Sequence, residues 1–398
     1  MQNNTLINGS NFSGRSDRLK QMLSQSDMMQ RSVYIGPYGE AALSGFATYI
    51  SEEVYIYHGS NPERQNIDFY PDNLRARGTQ RVSALSGGEQ VLLALYCFAG
   101  SRFRAVGIDT ALEQLDPTNR TKVLSYISNL PTEDRFFVLI DNRIEDDIRT
   151  SANNISLPKS NLFTLDIKEF KELIPSQSAP TIEIRNLDFS YDLSTRIFES
   201  ASTVLEGGTG YRLRGDNGTG KSTFLKILTG VLPSRAETIF IDDYPYQPNK
   251  DGNLLIALSM QNPDDQWAGI SIQKDIECKL KALRKRLSCQ RVINYDILEG
   301  IQYFGLSKDP EYHLLDLPKA LRKRLSWLWP LGGYLPWIAL DEPTIGQDQD
   351  AVHQLANVLN DLVHKGYGLI FITHNENFAK MIHHKELLFR ERRIHEFK

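Results

Sequence analysis

The chain has 398 residues, with 45 Lys+Arg against 49 Asp+Glu and a formal net charge of −4. Its length predicts roughly two or three domains, each able to bury a core, and 41% hydrophobic against 24% charged residues excludes a disordered or fibrous chain. The near-balance of charge predicts no nucleic-acid partner, because polyanion binding needs a local basic patch. Three cysteines, Cys97, Cys278 and Cys289, show no metal-ligand spacing and read as reduced, buried thiols of a cytosolic protein. No apolar run approaches the roughly 18 residues of a membrane-spanning helix. The polar start, Met1-Gln2-Asn3-Asn4-Thr5, lacks the regions of a signal peptide. A role at a membrane therefore requires another chain that supplies the membrane part.

In chain order, the first candidate is Gly9-Ser10-Asn11-Phe12-Ser13-Gly14-Arg15-Ser16, a phosphate-loop pattern with Arg15 in place of Lys. It carries little alone and gains weight from its place ahead of a repeat in register. Leu43-Ser44-Gly45 follows, then Leu85-Ser86-Gly87-Gly88-Glu89-Gln90. The runs Arg104-Ala105-Val106-Gly107-Ile108-Asp109 and Phe136-Phe137-Val138-Leu139-Ile140-Asp141 read as buried strands ending in carboxylates. Pro175-Ser176-Gln177-Ser178-Ala179-Pro180 is a linker by composition. The expected organisation is a domain over 1–173, a linker over 174–180 and a domain over 181–398.

The second half opens with Phe189-Ser190-Tyr191. Its strongest signal is Gly215-Asp216-Asn217-Gly218-Thr219-Gly220-Lys221-Ser222-Thr223, set between strand-like Tyr211-Arg212-Leu213-Arg214 and helix-like Phe224-Leu225-Lys226-Ile227-Leu228. Glycines there let successive backbone N–H groups turn toward phosphate oxygens, and the following helix presents its positive end. Lys221 is placed to reach the β- and γ-phosphates of a nucleotide, and Ser222 to ligate Mg²⁺. Beyond lie Gln261-Asn262-Pro263-Asp264-Asp265-Gln266, Trp267-Ala268-Gly269 and Leu317-Pro318-Lys319-Ala320-Leu321. Two apolar runs, Trp337-Ile338-Ala339-Leu340-Asp341-Glu342 and Leu369-Ile370-Phe371-Ile372-Thr373-His374, end in polar groups, as strands of an open α/β sheet do around a nucleotide. Leu85 precedes Asp109 by 24 positions and Leu317 precedes Asp341 by 24; Asp141 follows Asp109 by 32 and His374 follows Asp341 by 33. That is the spacing of an internal repeat.

Leu85-Ser86-Gly87-Gly88-Glu89-Gln90 resembles the signature sequence of ATP-binding-cassette (ABC) ATPases, and the whole chain resembles two such cassettes in tandem. The stretch from Gln261 resembles the Q-loop of energy-coupling-factor ATPases. The resemblance implies an α/β fold of two P-loop NTPase, ABC-type nucleotide-binding domains in tandem, packed head to tail, each with a small helical subdomain. In that family each ATP lies between the P-loop of one cassette and the signature of the other. The second cassette keeps Lys221, Gln261, Asp341, Glu342 and His374 but has a worn signature; the first keeps its signature but has Arg15 for Lys, Thr110 for the catalytic Glu and Asp141 for the switch His. Every intact motif thereby falls to one composite site and every defect to the other.

Carried over residue by residue, the resemblance implies that Tyr191 stacks on adenine and that Gly215, Asp216, Asn217, Gly218, Thr219, Gly220, Lys221 and Thr223 cradle the phosphates. Ser222, Asp341 and Gln261 hold Mg²⁺, Glu342 orients or deprotonates the attacking water, and His374 contacts the γ-phosphate. Ser86, Gly87, Gly88 and Glu89 close from the opposite side, with Asp116 of the D-loop pattern Glu113-Gln114-Leu115-Asp116-Pro117 lining the same interface. The cofactors implied are ATP and Mg²⁺. The expected role is the ATPase subunit of an importer, cytoplasmic and peripheral on the inner face of the membrane, driving an integral-membrane subunit through residues 51–61 and 271–286.

Two other readings stand beside it. One is a soluble ABC ATPase that remodels nucleic acid or a protein complex, against which no heptad region or basic arm is visible. The other is an ATP-binding switch with little turnover.

The first half is expected to lack the strand that carries an adenine-stacking aromatic, and no regulatory domain is expected beyond Leu387-Leu388-Phe389. The basic runs Lys279, Lys281, Arg284, Lys285, Arg286 and Arg322-Lys323-Arg324 read as solvated helix faces, with a docking surface for a partner chain as the alternative. Trp267, Trp327, Trp329 and Trp337 read as packing residues, and His58 and the His383-His384 pair as surface histidines.

Overall fold

The structure, a computed structural model, describes residues 5–8, 14–24, 32–36, 43–59, 67, 69–101, 103–129, 136–142, 153–156, 176, 178–191, 196–235, 237–248, 255–286, 301–304, 311–332 and 335–396. Residues 9–13 of the expected phosphate-loop pattern, Cys289, linker residues 174, 175 and 177 and the side chains of Arg284, Lys285 and Arg286 lie outside these residues. The chain forms two compact units, one of residues 1–160 with 345–348 and one of residues 161–344 with 349–398.

In the first unit, β1 (Thr5–Asn8), β2 (Ser32–Ile35), β3 (Ala105–Asp109), β4 (Phe136–Ile140) and β5 (Asn153–Ser156) form one sheet in the order β2-β3-β4-β1-β5. Every pairing is parallel. All five residues of β3 are buried, which requires cover on both faces and explains why the strand shows no alternation. On one face the helix Arg15–Leu23 lays Leu19 and Leu23 against Gly107, where a Cβ would meet Leu19 Cδ2 at 2.3 Å. The helix Gly87–Gly100 is buried all round from Val91 to Ala99, as expected of a helix that is apolar on every side.

The second unit contains β6 (Ile182–Ser190), β7 (Arg196–Leu205), β8 (Gly210–Arg214), β9 (Ile239–Ile241) and β10 (Tyr244–Pro245), followed by β11 (Ile256–Ser259), β12 (Trp337–Asp341), β13 (Gly368–Ile372), β14 (Lys385–Arg390) and β15 (Arg393–Glu396). An antiparallel sheet runs β10-β9-β6-β7, and a six-stranded sheet runs β11-β12-β13-β8-β14-β15, parallel except for its last pair. Trp337 is fully buried and donates its indole N–H to Pro180 O at 2.9 Å. Gly368 leaves room for that ring: a Cβ there would lie 2.3 Å from Trp337 Cε3.

The same local features recur in both units. The order β2-β3-β4-β1 of the first is the order β11-β12-β13-β8 of the second. Thr110 and Glu342, each just beyond a central strand, have φ of +55° and +45° and donate their N–H to Ile140 O at 2.7 Å and Ile372 O at 3.0 Å. Ser44 N–H is accepted by Glu53 of the helix Ile50–His58, and Ala268 N–H by Asp275 of the helix Ile272–Arg286. A single-turn 3₁₀ segment, Val82–Ala84 or Leu314–Asp316, precedes Leu85 and Leu317 respectively.

Three expectations are corrected. His58 is buried, not on the surface: its Nε2 lies 2.8 Å from Tyr96 O, and its ring sits against Gly100, which has no Cβ to exclude it. Arg322, Lys323 and Arg324 are buried rather than a solvated face, because the helix Lys319–Leu331 is inserted among β11, β12 and the loop after β11. Cys278 is exposed, whereas Cys97 is buried as expected.

Replacing Gly368 by Ala forces a methyl to within 2.5 Å of three atoms of the Trp337 ring. The expected loss is about 1–3 kcal/mol of unfolding free energy, read from urea denaturation.

Candidate functional site

The chain leaves β8 at Arg214 and turns through Gly215, Gly218 and Gly220 with φ of +143°, +80° and +99°, a region that favours glycine. Space is also short: a Cβ on Gly215 would lie 2.5 Å from Phe389 O, and one on Gly220 2.5 Å from Ile197 Cγ2. The helix Lys221–Leu228 begins directly after this loop. Lys221 Nζ donates to Gly215 O at 2.6 Å and Asp216 O at 2.8 Å, so its ammonium lies across the loop, and Thr219 Oγ1 donates to Asp216 O at 2.8 Å. Tyr191, 54% exposed, stands edge-on to Phe189 at 5.2 Å, with its hydroxyl 3.1 Å from Thr223 Oγ1.

Three parallel strands deliver the remaining groups at their carboxyl ends. Asp341 ends β12, is buried and accepts a hydrogen bond from the Ser222 hydroxyl. Burial raises its pKa, against the opposing pull of Ser222 and of the ammonium groups of Lys323, Lys226 and Lys221. Glu342 follows it, buried, in a left-handed backbone conformation that costs on the order of 1 kcal/mol and persists only where the surroundings enforce it. His374, two residues beyond β13, places Nε2 3.2 Å from Asn217 Oδ1 and 3.7 Å from Glu342 Oε1. Asn217, Lys221, Ser222, Asp341, Glu342 and His374 are thus gathered at one end of the sheet, with Gln261 two residues beyond β11. A serine hydroxyl joined to a buried carboxylate is the hard oxygen set that Mg²⁺ takes together with phosphate and water oxygens, so these residues fit that ion.

Two residues at this site escape a reading by motif. Lys323 is fully buried, and its Nζ donates to Met260 O at 2.7 Å, Gln261 O at 3.0 Å and Asp341 O at 2.9 Å. Burial pushes its pKa down to about 7, against the pull of Asp341 and Glu342. Arg212, buried in β8, donates to Thr373 O at 3.1 Å and pairs with Glu376, which fixes the loop carrying His374. Neither carries a motif signal: Lys323 lies in a run of three charges, and Arg212 sits between Tyr211 and Leu213 in β8.

In the first unit Asp109, Asp141 and Arg15 are each tied to another side chain. Tyr34 hydroxyl donates to Asp109 Oδ2 at 2.7 Å, and burial together with that carboxylate raises the phenol's pKa. Arg120 grips Asp141 through two bonds of 2.6 and 3.0 Å, and Arg15 Nη1 donates to Asn142 Oδ1 at 2.8 Å. Ser86 caps the helix Gly87–Gly100, Glu89 closes the capping box and pairs with Arg77, and Gly87 and Gly88 form the first turn. Asp116 caps the helix Pro117–Asn129 through Asn119 N–H at 2.9 Å.

The ABC transporter family matches residues 198–344. An energy-coupling factor transporter ATP-binding protein of Thermotoga maritima is 30% identical over 196 residues, which cover 48% of this chain and 72% of that protein. The putative HMP/thiamine import ATP-binding protein of Bacillus subtilis is 25% identical over 347 residues, 74% of this chain and 62% of that protein, so this chain spans under two thirds of it. Among solved structures, cbiO1 from Clostridium perfringens, part of an ABC transporter complex, is 19% identical with a TM-score of 0.44, covering 55% of this chain and 88% of that one. The chain belongs to the ATP-binding proteins of ABC transporters, a family of ATPases with an α/β P-loop fold. Energy-coupling-factor proteins are among its relatives. Among the described residues, no helix is long and apolar enough to cross a membrane.

Arg120→Ala would leave the Asp141 carboxylate buried without its bidentate partner. The expected cost is about 3–5 kcal/mol, measured by chemical denaturation.

Proposed function

We propose that this chain is the ATP-hydrolysing subunit of an energy-coupling-factor-like transporter, built from two cassettes in one polypeptide with one competent composite ATP site and one degenerate site. The observation that carries the reading is the gathering of Lys221, Ser222, Asp341, Glu342 and His374 at one sheet end, while the matching carboxylates Asp109 and Asp141 are consumed by Tyr34 and Arg120. The recurrent strand order and the two left-handed residues after the central strands support a tandem of cassettes. The pairing of Ser86, Gly87, Gly88, Glu89 and Asp116 with the second P-loop rests on how intact and worn motifs sort along the sequence.

At the competent site the exposed ring of Tyr191 offers its face to adenine, and Lys221 with the loop N–H groups neutralises phosphate charge. Ser222 and Asp341, with Gln261, hold Mg²⁺, which when bound spreads the charge of the β- and γ-phosphates. Glu342 orients the attacking water and accepts its proton, and His374, held near both Asn217 and Glu342, contacts the γ-phosphate. An integral-membrane partner is the proposed recipient of the closing motion, through the helices Ile50–His58 and Ile272–Arg286. On this reading the chain works at the cytoplasmic face of a membrane.

Lys221→Ala is expected to abolish nucleotide binding in equilibrium dialysis; retained binding overturns the assignment of the site. Ser86→Ala should lower ATP turnover by about 10-fold or more, the worth of a hydrogen bond to a charged group. Pro318→Ala, at the matching place in the worn signature, should leave turnover near that of the parent. Equal losses from the two would contradict the pairing of motifs.

A further inference from the structure

We infer that Lys323 is a positioning residue for hydrolysis, its ammonium locking the Q-loop to the peptide that joins Asp341 to Glu342. The inference rests on the reading of Gln261, Asp341 and Glu342 as the hydrolytic site. A lysine ammonium has three N–H donors and no acceptor. All three are used here on backbone carbonyls: Met260 at 2.7 Å, Gln261 at 3.0 Å and Asp341 at 2.9 Å. None of these acceptors is a side chain, so the lysine fixes the path of the chain at both places.

The Asp341–Glu342 peptide is held on both edges. Its carbonyl accepts from Lys323 at 2.9 Å and its N–H donates to Ile372 O at 3.0 Å. That peptide sets the direction of the Glu342 side chain, whose φ of +45° is a conformation its surroundings must impose. The third acceptor ties Gln261 to the same point. A shift of either segment relative to the other therefore breaks a bond to a fully buried charge.

The first unit supplies an internal control. Lys323 lies six positions after Leu317, and the residue six positions after Leu85 is Val91, buried and without a donor. There the corresponding carbonyl, Asp109 O, accepts from the hydroxyl of Thr110 itself at 2.8 Å. Thr110 occupies the place of Glu342 and can satisfy its own strand end; a glutamate in that place leaves the carbonyl to another donor. The lysine occurs where the base is a carboxylate and is replaced by valine where it is not. The helix Lys319–Leu331 thus acts within its own unit, although its signature Leu317-Pro318-Lys319-Ala320-Leu321 is worn.

The test compares Lys323→Met, of similar length without donors, with Lys323→Gln, which keeps two donors, in the full chain. Steady-state ATPase kinetics, nucleotide dissociation constants and thermal unfolding are measured, with Lys221→Ala and Glu342→Gln as controls. Lys323→Met is expected to bind nucleotide within about threefold of the parent while kcat falls about 10- to 100-fold, the range for a misplaced catalytic group, and Lys323→Gln to recover part of kcat. An unchanged kcat in Lys323→Met at a temperature where it is folded overturns the inference, as does a loss confined to nucleotide affinity. If Lys323→Met does not fold, Lys323→Gln decides: lowered kcat with parental affinity sustains it, and parental kcat overturns it. If Lys221→Ala and Glu342→Gln leave turnover intact, the site reading itself has failed, an outcome distinct from any result at Lys323.

Discussion

Backbone and carboxylate groups that emerge at the carboxyl end of a buried parallel sheet lose water and must find partners inside the protein. The rest of the structure follows from how each unit meets that demand. β3 and β12 are buried along their whole length and each ends in an aspartate. In the first unit the demand is met by Tyr34, Arg120 and the Thr110 hydroxyl, all of them fixed protein groups. In the second it is met by Ser222 and Lys323, and the carboxylates stay next to a phosphate-binding loop.

The contrast gives physical content to the substitutions between the two halves. The charge of Asp141 is taken up by a two-point grip from Arg120. Arg15 is buried, which lowers its pKa against the pull of Glu113 and Asp109, and it donates to Asn142. A planar guanidinium engaged this way holds its charge in a fixed direction, unlike the point charge of a lysine ammonium. Lys221, by comparison, rests on two loop carbonyls of its own turn. Those carbonyls are a weaker claim on an ammonium than a phosphate dianion would be.

Two of the corrections to the sequence reading, those at His58 and Lys323, share one cause. Arg322, Lys323 and Arg324 looked like a solvated face because three consecutive charges are usually solvated. Burial is tolerated because Lys323 meets backbone carbonyls at a loop and a strand end, while Arg322 donates to Leu315 O and lies 3.2 Å from the Asp264 carboxylate. His58 was read as exposed for want of a companion in sequence, yet its partner is a backbone carbonyl 38 positions away and its space is made by Gly100. Partners of this kind carry no side-chain signature, so no pattern of residue types announces them.

By itself the sequence determined the phosphate loop, the apolar strands with their polar ends and the spacing that repeats between the halves, because each depends on local chemistry: glycine at positive φ, parallel strands buried on both faces, a carboxylate at a strand terminus. Tertiary structure alone decided which buried charge answers which carbonyl, that Tyr34 and Arg120 take up the carboxylates of the first unit and that Lys323 bridges two loops of the second. Those choices depend on distances between segments remote in the chain, and such distances are fixed only when the sheet and its helices have packed.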